Sequence, residues 1–434
     1  MGYFQESIET MDVDKLKALQ NKRFCDLIKR TYRNVPFYKK KLEDLGIVIS
    51  EINGIEDITK LPFMTKDDLR INYPDKLLAV PQSEIVKAQS TSGTTGKPVI
   101  SFYTKHDVSI CEDCCARAIV AAGGCKKDVC QVSFGYGLFS GGAGLDGGSQ
   151  RVGCLTLPMS TGNTRRQAQF MIDLGTSILC STPSYAASIG EYIDKNNLKK
   201  YIKLKAGIFG AEPWSNELRN KIEEELEIDA YDIYGLTEMM GPGVAFECSQ
   251  KDGMHIQEDH FFAEVVNPED GHVLPNGEVG ELVLTTLTKE AVPLVRYRTH
   301  DLCRIYRDKC SCGRTHIKMS KLLGRTDDMV IVKGVNIWPS QVETVLIRNG
   351  YTLNYNIVIS REDNNDFMDI DIENSKRILD DNQKEQEIKY LINEFKDALG
   401  IKVNIHLIGV GTLQRSEGKA KKVFDKRNLY EGEC

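Results

Sequence analysis

Apolar positions change period several times along this chain. Leu16, Leu19, Phe24, Leu27, Ile28 and Tyr32 recur at three- and four-residue intervals, so the first forty residues read as helix with one apolar face. Pro36 ends that pattern, because the residue before a proline is pushed out of the helical region. Short apolar runs at 129–134, 177–181, 206–209 and 230–234 then appear between Gly, Pro and Asp. They are too short for helices and read as buried strands, with helical stretches such as 215–226 between them. This alternation predicts an α/β body with largely parallel sheets. From Ala263 to Leu287 the pattern becomes strand-turn-strand, with Asn267-Pro268 and Pro275-Asn276-Gly277 as turns. A distorted antiparallel or barrel-like portion is expected there.

The last hundred residues form a different unit. Ser340 and Glu343 have the spacing of a capping box opening a helix. Tyr355, Ile357 and Ile359 alternate, as do Met368, Ile370 and Ile372, and again Val403, Ile405 and Leu407. Between them Ile388, Leu391, Ile392, Phe395 and Leu399 make a helical stripe. Helix, strand, strand, helix, strand predicts a small α+β unit with its helices on one sheet face. The boundary falls near Gly324, giving a large N-terminal domain at 1–323 and a small C-terminal domain at 324–434, without an internal repeat or a low-complexity linker.

Composition narrows the function classes. Of 434 residues 41% are hydrophobic and 27% charged, which excludes a disordered or fibrous chain. A net charge of −6 gives no global attraction to nucleic acid or anionic lipid. Thirteen cysteines cannot all pair. Met1 to Asp12 is polar and acidic, with no signal-like segment, and no apolar run approaches the roughly 20 residues of a membrane helix. A cytoplasmic protein with mostly reduced thiols is expected.

The sharpest local signal is Ser90-Thr91-Ser92-Gly93-Thr94-Thr95-Gly96-Lys97-Pro98. Backbone amides in such a loop can wrap phosphate oxygens, the hydroxyls add donors and Lys97 adds charge. It is not a Walker loop: only two residues separate Gly93 from Gly96, and Pro98 stands where Ser or Thr is required. With this loop, the segments Phe134-Gly135-Tyr136-Gly137-Leu138-Phe139, Gly210-Ala211-Glu212-Pro213-Trp214, Tyr231 to Glu238, Gly324 to Met329 and Arg415 to Ala420 resemble the phenylacetate–CoA ligase family of the adenylate-forming (ANL) superfamily. The matching blocks run in order from about Leu61 to Arg427.

The resemblance implies a two-lobed fold whose small lobe moves, and a two-step reaction. A carboxylate attacks the α-phosphate of ATP and releases pyrophosphate, and a thiol, that of coenzyme A, then attacks the acyl-adenylate. Such chemistry asks mainly for alignment and charge neutralisation. Ser92, Gly93, Thr94, Thr95, Gly96 and Lys97 would hold phosphates, with Glu238 and Thr94 near Mg2+. Gly210, Ala211, Glu212 and Pro213 would line the adenine site, Asp232, Ile233, Tyr234, Gly235 and Thr237 would run along the nucleotide, and Asp301 would accept the ribose hydroxyls. A salt bridge from Asp301 to its flanking arginines is the bland alternative. Lys419 would neutralise charge developing on phosphorus. Arg325 would contact the nucleotide at the junction, Asp327 matches the hinge position, and Lys333, Gly334 and Val335 would face the pantetheine tunnel. Tyr136, Phe139, Gly141, Gly142 and Ala211 would bound the acid, aromatic walls over a glycine floor suiting a flat aromatic acid. Gly142 to Gly147 satisfies GxGxxG formally, but the preceding strand ends too early for a dinucleotide turn. The stretch Ala143 to Gly148 departs from the bulkier family pattern, which leaves the acid's identity open. The expected enzyme is an ATP-dependent aryl- or arylacetyl-CoA ligase, and the family's oligomeric habit suggests a homodimer. Adenylation without thioester formation, as in coenzyme F390 synthetases, and an inactive nucleotide-binding relative are the alternatives.

Cys310 and Cys312 sit in a polar turn, and Cys248 and His255 in an earlier loop. Three thiolates and an imidazole make a closed tetrahedral set, which suits structural Zn2+ rather than a catalytic ion. Cys303 and His316 are reserve ligands. Cys111, Cys114 and Cys115 lie in a helical stretch without a partner pair and read as core thiols.

Overall fold

The computed structural model describes residues 2–91, 98–326, 330–362, 365–374, 376, 380–413 and 422–427. It divides into two compact units, Met1–Glu212 with Ile222–Leu323, and Pro213–Lys221 with Gly324–Cys434. The first begins with helices Glu6–Glu9, Val13–Asn34 and Pro36–Asp44, rather than one helix over forty residues. Asp12 caps the second by accepting from the amides of Asp14 and Lys15. Pro36 ends that helix and also opens the next, since a first helical position needs no N–H partner.

The strands of the first unit are β1 (Lys87–Ser90), β2 (Ile100–Tyr103), β3 (Val129–Val132), β4 (Leu155–Pro158), β5 (Ile178–Ser181), β6 (Ala206–Gly210), β7 (Asp229–Leu236), β8 (Gly241–Glu247), β9 (Met254–Ile256), β10 (Phe261–Val266), β11 (Gly280–Thr286), β12 (Tyr297–Cys303), β13 (Ile305–Tyr306) and β14 (Lys318–Met319). Nine form one sheet in the order β13-β14-β9-β8-β7-β6-β5-β3-β4. The half from β4 to β7 is parallel, as the alternation predicts. Its central strands β5 and β6 are buried at every residue, which their unbroken apolar runs require. The other half is antiparallel, so the sheet is mixed. β10, β11 and β12 form an antiparallel meander with a register shift between Glu281 and Val283, the distortion expected at 263–287.

In the second unit a short strand β15 (Gly324–Arg325) precedes a hairpin of β16 (Val330–Val332) and β17 (Val335–Ile337). Helix Pro339–Arg348 starts two residues earlier than a cap at Ser340 would place it: Pro339 is its first residue, and Gln341 Oε1 accepts from the Trp338 amide at 3.0 Å. Glu343 instead accepts from the Tyr355 hydroxyl at 2.9 Å. β18 (Tyr355–Glu362) and β19 (Asn365–Glu373) pair antiparallel, and β20 (Asn404–Ile408) and β21 (Val423–Asp425) flank them in parallel. Ile357, Ile359, Ile370 and Ile372 share one core with Val342 and Leu346 of the first helix and Leu391 and Phe395 of helix Asp381–Leu399. Both helices therefore cover one face of the sheet.

Candidate active site

Two strand ends build the floor of the site. β6 ends at Gly210 beside Ile233 of β7, so close that a Cβ on Gly210 would meet the Ile233 carbonyl oxygen at 2.1 Å. Only glycine fits there. Ala211 follows with a φ of 71°, a left-handed conformation that costs an alanine about 1 kcal/mol or more. Such strain at a strand end marks a place where backbone geometry is needed for something. Glu212 accepts from the Ser184 amide at 2.8 Å, so its carboxylate caps helix Pro183–Lys195. Gly235 faces the Gly241 carbonyl oxygen, which a Cβ would meet at 2.1 Å. The Asp232 amide donates to Glu247 Oε2 at 2.8 Å, joining β7 to β8.

β12 carries the other wall. Its burial alternates, with Tyr297, Thr299, Asp301 and Cys303 inward. Asp301 is 1% exposed, and its Oδ2 accepts from the Tyr234 hydroxyl at 2.6 Å. The flanking arginines are committed elsewhere, Arg296 to Glu264 at 2.8 Å and Arg298 Nε to Glu281 at 3.1 Å, so the salt-bridge alternative for Asp301 does not apply. Tyr297, four residues earlier on the same face, points its hydroxyl at Glu238 Oε1, 3.5 Å away. Lys66 Nζ lies 3.8 Å from that oxygen. Glu238 is 6% exposed, not a surface acid. Thr237 is held at both ends: its carbonyl accepts from the Tyr103 hydroxyl at 3.3 Å, and its own hydroxyl lies 3.0 Å from that of Ser140. The structure thus gathers Tyr234 from β7, Thr237 and Glu238 from the turn after it, and Asp301 from β12.

Ser92, Gly93, Thr94, Thr95, Gly96, Lys97, Asp327 and Lys419 lie outside the described residues. The flanks of the first group are ordered by a hairpin, with Ser90 opposite Ile100 and the Ser90 amide donating to the Leu138 carbonyl at 2.8 Å.

The glycine-rich stretch at 140–148 is a helix, Ser140–Val152, and its later glycines face neighbouring elements. A Cβ on Gly148 would meet Cys115 Cβ at 2.4 Å, and one on Gly144 would meet Pro242 at 2.7 Å. These glycines let the helix lie against helix Lys105–Ala121 and β8. A Cβ on Gly142 would meet the Gly135 carbonyl at 2.8 Å and the Tyr136 ring at 3.0 Å, and one on Gly141 the Phe134 ring at 3.3 Å. Gly142 to Gly147 is therefore helix interior, consistent with rejecting a dinucleotide turn. Tyr136 is half-buried, burial raises its phenol pKa, and its hydroxyl has no hydrogen-bond partner among the described residues. Phe139 is 43% exposed.

In the second unit the Arg325 carbonyl accepts from the Trp338 indole at 3.2 Å. Gly324, at a φ of 152°, leaves room for that ring, which a Cβ would meet at 2.3 Å. Lys333 and Gly334, with φ of 52° and 77°, are the two central residues of the β16–β17 turn, the type I′ geometry of tight hairpins, and Val335 begins the return strand. The Lys333 ammonium lies 5.6 Å from the Phe367 ring centroid.

Cys248, His255, Cys310 and Cys312 converge, all buried, with their ligand atoms within 4.8 Å of one another. The sheet order explains how distant segments meet. β9 carries His255 and pairs with β14 opposite Lys318, Cys248 follows β8, and Cys310 and Cys312 sit in the connection from β13 to β14. Cys248 and Cys310 sulfurs are 3.8 Å apart, far beyond the roughly 2.05 Å of a disulfide. Zinc–thiolate bonds of about 2.3 Å at tetrahedral angles put sulfurs roughly 3.8 Å apart. Cys312 Sγ lies 3.4 Å from His255 Nε2, and His255 Nδ1 lies 3.3 Å from the His316 carbonyl, a contact that fixes the ring. The donor set therefore fits zinc. Cys303 and His316 are buried but stand outside the four-residue cluster. Cys111, Cys114 and Cys115 are core residues of helix Lys105–Ala121, and all twelve described cysteines are free thiols.

Sequence reasoning missed Lys289, Tyr297, Tyr103 and Lys66. Lys289 looks like a surface lysine in Thr288-Lys289-Glu290 but is 0% exposed, and its Nζ donates to the carbonyls of Glu238 and Met239 at 2.9 and 2.5 Å and to Ser101 Oγ at 2.6 Å. No periodicity marks it. Tyr297 could have been found from its place four residues before Asp301 on one strand face.

The two units have the architecture of acyl-CoA ligases that work through acyl-adenylates. A solved 2-hydroxyisobutyryl-CoA ligase in the postadenylation state, bound to an acyl-AMP, matches with a TM-score of 0.89 and 26% identity over 98% of this chain and 93% of that one. Residues 38–287 match the model for AMP-binding enzymes, and residues 334–427 the model for the AMP-binding enzyme C-terminal domain. The chain is 44% identical to the phenylacetate-coenzyme A ligase of Pseudomonas putida over 97% of each chain, and 42% identical to that of Escherichia coli strain K12 over 98% of each. It belongs to the AMP-binding enzymes and, within them, to the phenylacetate–CoA ligase family. Among the described residues no helix is long and apolar enough to cross a membrane.

Proposed function

We propose that this chain joins phenylacetate, or a similar aryl or arylacetic acid, to coenzyme A with cleavage of ATP to AMP and pyrophosphate. A carboxylate oxygen attacks the α-phosphorus and pyrophosphate leaves. The thiol sulfur then attacks the acyl carbon and AMP leaves. The observation that carries the reading is the pair of buried carboxylates tethered along β12, Asp301 to Tyr234 and Glu238 to Tyr297. Four residues of strand separate the two tyrosine and aspartate anchors by roughly 13 Å, comparable with the reach of a nucleotide from ribose to terminal phosphate. Asp301 accepts the ribose hydroxyls, and the strand ends at Gly210–Pro213 and Asp232–Thr237 border the base and sugar. Glu238, with Thr94, would hold magnesium, which would supply positive charge to offset that of the phosphates. The 92–97 loop binds phosphates, Arg325 reaches the nucleotide, Asp327 is the hinge, and Lys419 stabilises charge at phosphorus. Lys333, Gly334 and Val335 border the pantetheine arm, and Tyr136, Phe139, Gly141, Gly142 and Ala211 border the acid. Cys248, His255, Cys310 and Cys312 hold a structural zinc. The same reading divides the chain into catalytic domains at 1–323 and 324–434, working in the cytoplasm as a homodimer.

The test is product analysis with phenylacetate, ATP and Mg2+, with and without coenzyme A, across a panel of acids. AMP release that requires coenzyme A and yields phenylacetyl-CoA is expected. Release independent of coenzyme A and without thioester would replace the reading with adenylation alone.

A further inference from the structure

Lys289 is the largest unexplained commitment of charge in the first unit. It is fully buried, yet no carboxylate lies within ion-pair distance of its ammonium among the described residues. All three donors are used on neutral oxygens: the Glu238 and Met239 carbonyls and the Ser101 hydroxyl. Burial pulls its pKa down to about 8, the direction expected of a lysine without a counter-ion. A buried cation is costly, and a methionine of similar length would avoid the cost. The ammonium also lies 5.0 Å from the Tyr103 ring centroid, and Tyr103 itself holds the Thr237 carbonyl.

What the lysine joins is informative. Ser101 and Tyr103 belong to β2, one arm of the hairpin whose connection in sequence is the Ser/Thr/Gly motif. Glu238 and Met239 follow β7. The segment bearing Lys289 is itself fixed, because Asp107 accepts from the Glu290 and Ala291 amides at 2.7 and 3.0 Å. Two adjacent carbonyls on one ammonium hold the backbone that carries the Glu238 side chain.

We propose that Lys289 is a positioning residue that locks the Glu238 turn to the β1–β2 hairpin and so sets the affinity of the adenylation step for magnesium. The inference rests on the reading of Glu238 as the magnesium carboxylate. The experiment measures pyrophosphate release against free Mg2+ at saturating acid for wild type, Lys289→Met, Ser101→Ala and Glu238→Gln, with circular dichroism to verify folding. In folded Lys289→Met the half-saturating Mg2+ should rise about tenfold, the loss of a charged hydrogen bond's worth of orientation, while the maximal rate recovers at high Mg2+ and the KM for the acid stays unchanged. Ser101→Ala should shift it in the same direction by less, and it decides the matter if Lys289→Met does not fold. A Mg2+ dependence equal to wild type in these variants, with that of Glu238→Gln displaced, overturns the positioning role alone. An undisplaced Glu238→Gln overturns the magnesium assignment beneath it.

Discussion

Replacing Tyr234 by phenylalanine removes one hydroxyl and leaves the ring in place. That hydroxyl donates to Asp301 Oδ2 at 2.6 Å, and both residues are buried, so bulk water does not replace the lost donor. A hydrogen bond to a charged group contributes about 1.5–3 kcal/mol, so Tyr234→Phe should unfold in urea with a stability lower by about 2 kcal/mol. The functional consequence is more specific than the loss of stability. Asp301 is the proposed ribose acceptor, and Tyr234 holds its carboxylate in one rotamer. Without that donor the carboxylate is held less firmly, and part of the cost of orienting it falls on substrates whose hydroxyls it recognises. The ratio of kcat/KM for ATP over 2′-deoxy-ATP, read from pyrophosphate release, should therefore fall about tenfold, equivalent to about 1.4 kcal/mol. The KM for the acid should not move. A folded Tyr234→Phe enzyme that kept the wild-type ratio would refute the ribose assignment of Asp301 as argued from this pair.

Three further outcomes follow from the geometry. Gly210→Ala places a methyl 2.1 Å from the Ile233 carbonyl oxygen and forces β6 from β7, so thermal unfolding should report a loss of about 3 kcal/mol; wild-type stability would contradict the close approach. The cysteine–histidine loop also fastens the N-terminal segment, through the Tyr3 hydroxyl on the Cys312 carbonyl at 2.6 Å and Arg314 on Glu9 at 2.7 Å. Metal analysis should find about one zinc per chain, and chelation should make the segment before Val13 the first site of proteolysis; equal resistance with and without chelator would separate the two features. His260 is held neutral, mainly by burial and against the pull of Asp259, with its pKa lowered to about 4. The unfolded chain binds that proton below about 6.5, so stability should fall as pH drops from there towards the folded value, and His260→Gln should flatten that part of a denaturation-against-pH curve.

Much of the parallel half of the large sheet was legible, because buried parallel strands are apolar at every residue and β5 and β6 announce themselves. The antiparallel half was not. β9 and β14 are two or three residues long and include His255 and Lys318, polar residues that only sheet neighbours far away in sequence explain. Those neighbours also bring Cys248 to Cys310, so the metal cluster could be guessed from ligand chemistry but not placed. The helix at 140–148 was hidden because close approach to a ligand and close approach to another helix leave the same glycine in the sequence. The helix at 339 shifted because Ser340 and Glu343 have a capping spacing, but Pro339 opens the helix and Gln341 accepts from the Trp338 amide. Glu238 and Asp301 were singled out through the resemblance, whereas Lys289, whose contacts are with main-chain carbonyls, leaves no motif behind.

The central claim is that the acid's own oxygen becomes bonded to the α-phosphorus before sulfur displaces it. Phenylacetate labelled in both carboxyl oxygens with heavy oxygen, turned over with ATP and coenzyme A, tests this by mass spectrometry of the nucleotide. The account predicts AMP carrying one labelled oxygen and unlabelled pyrophosphate. Unlabelled AMP, or label in inorganic phosphate alongside ADP, would contradict it.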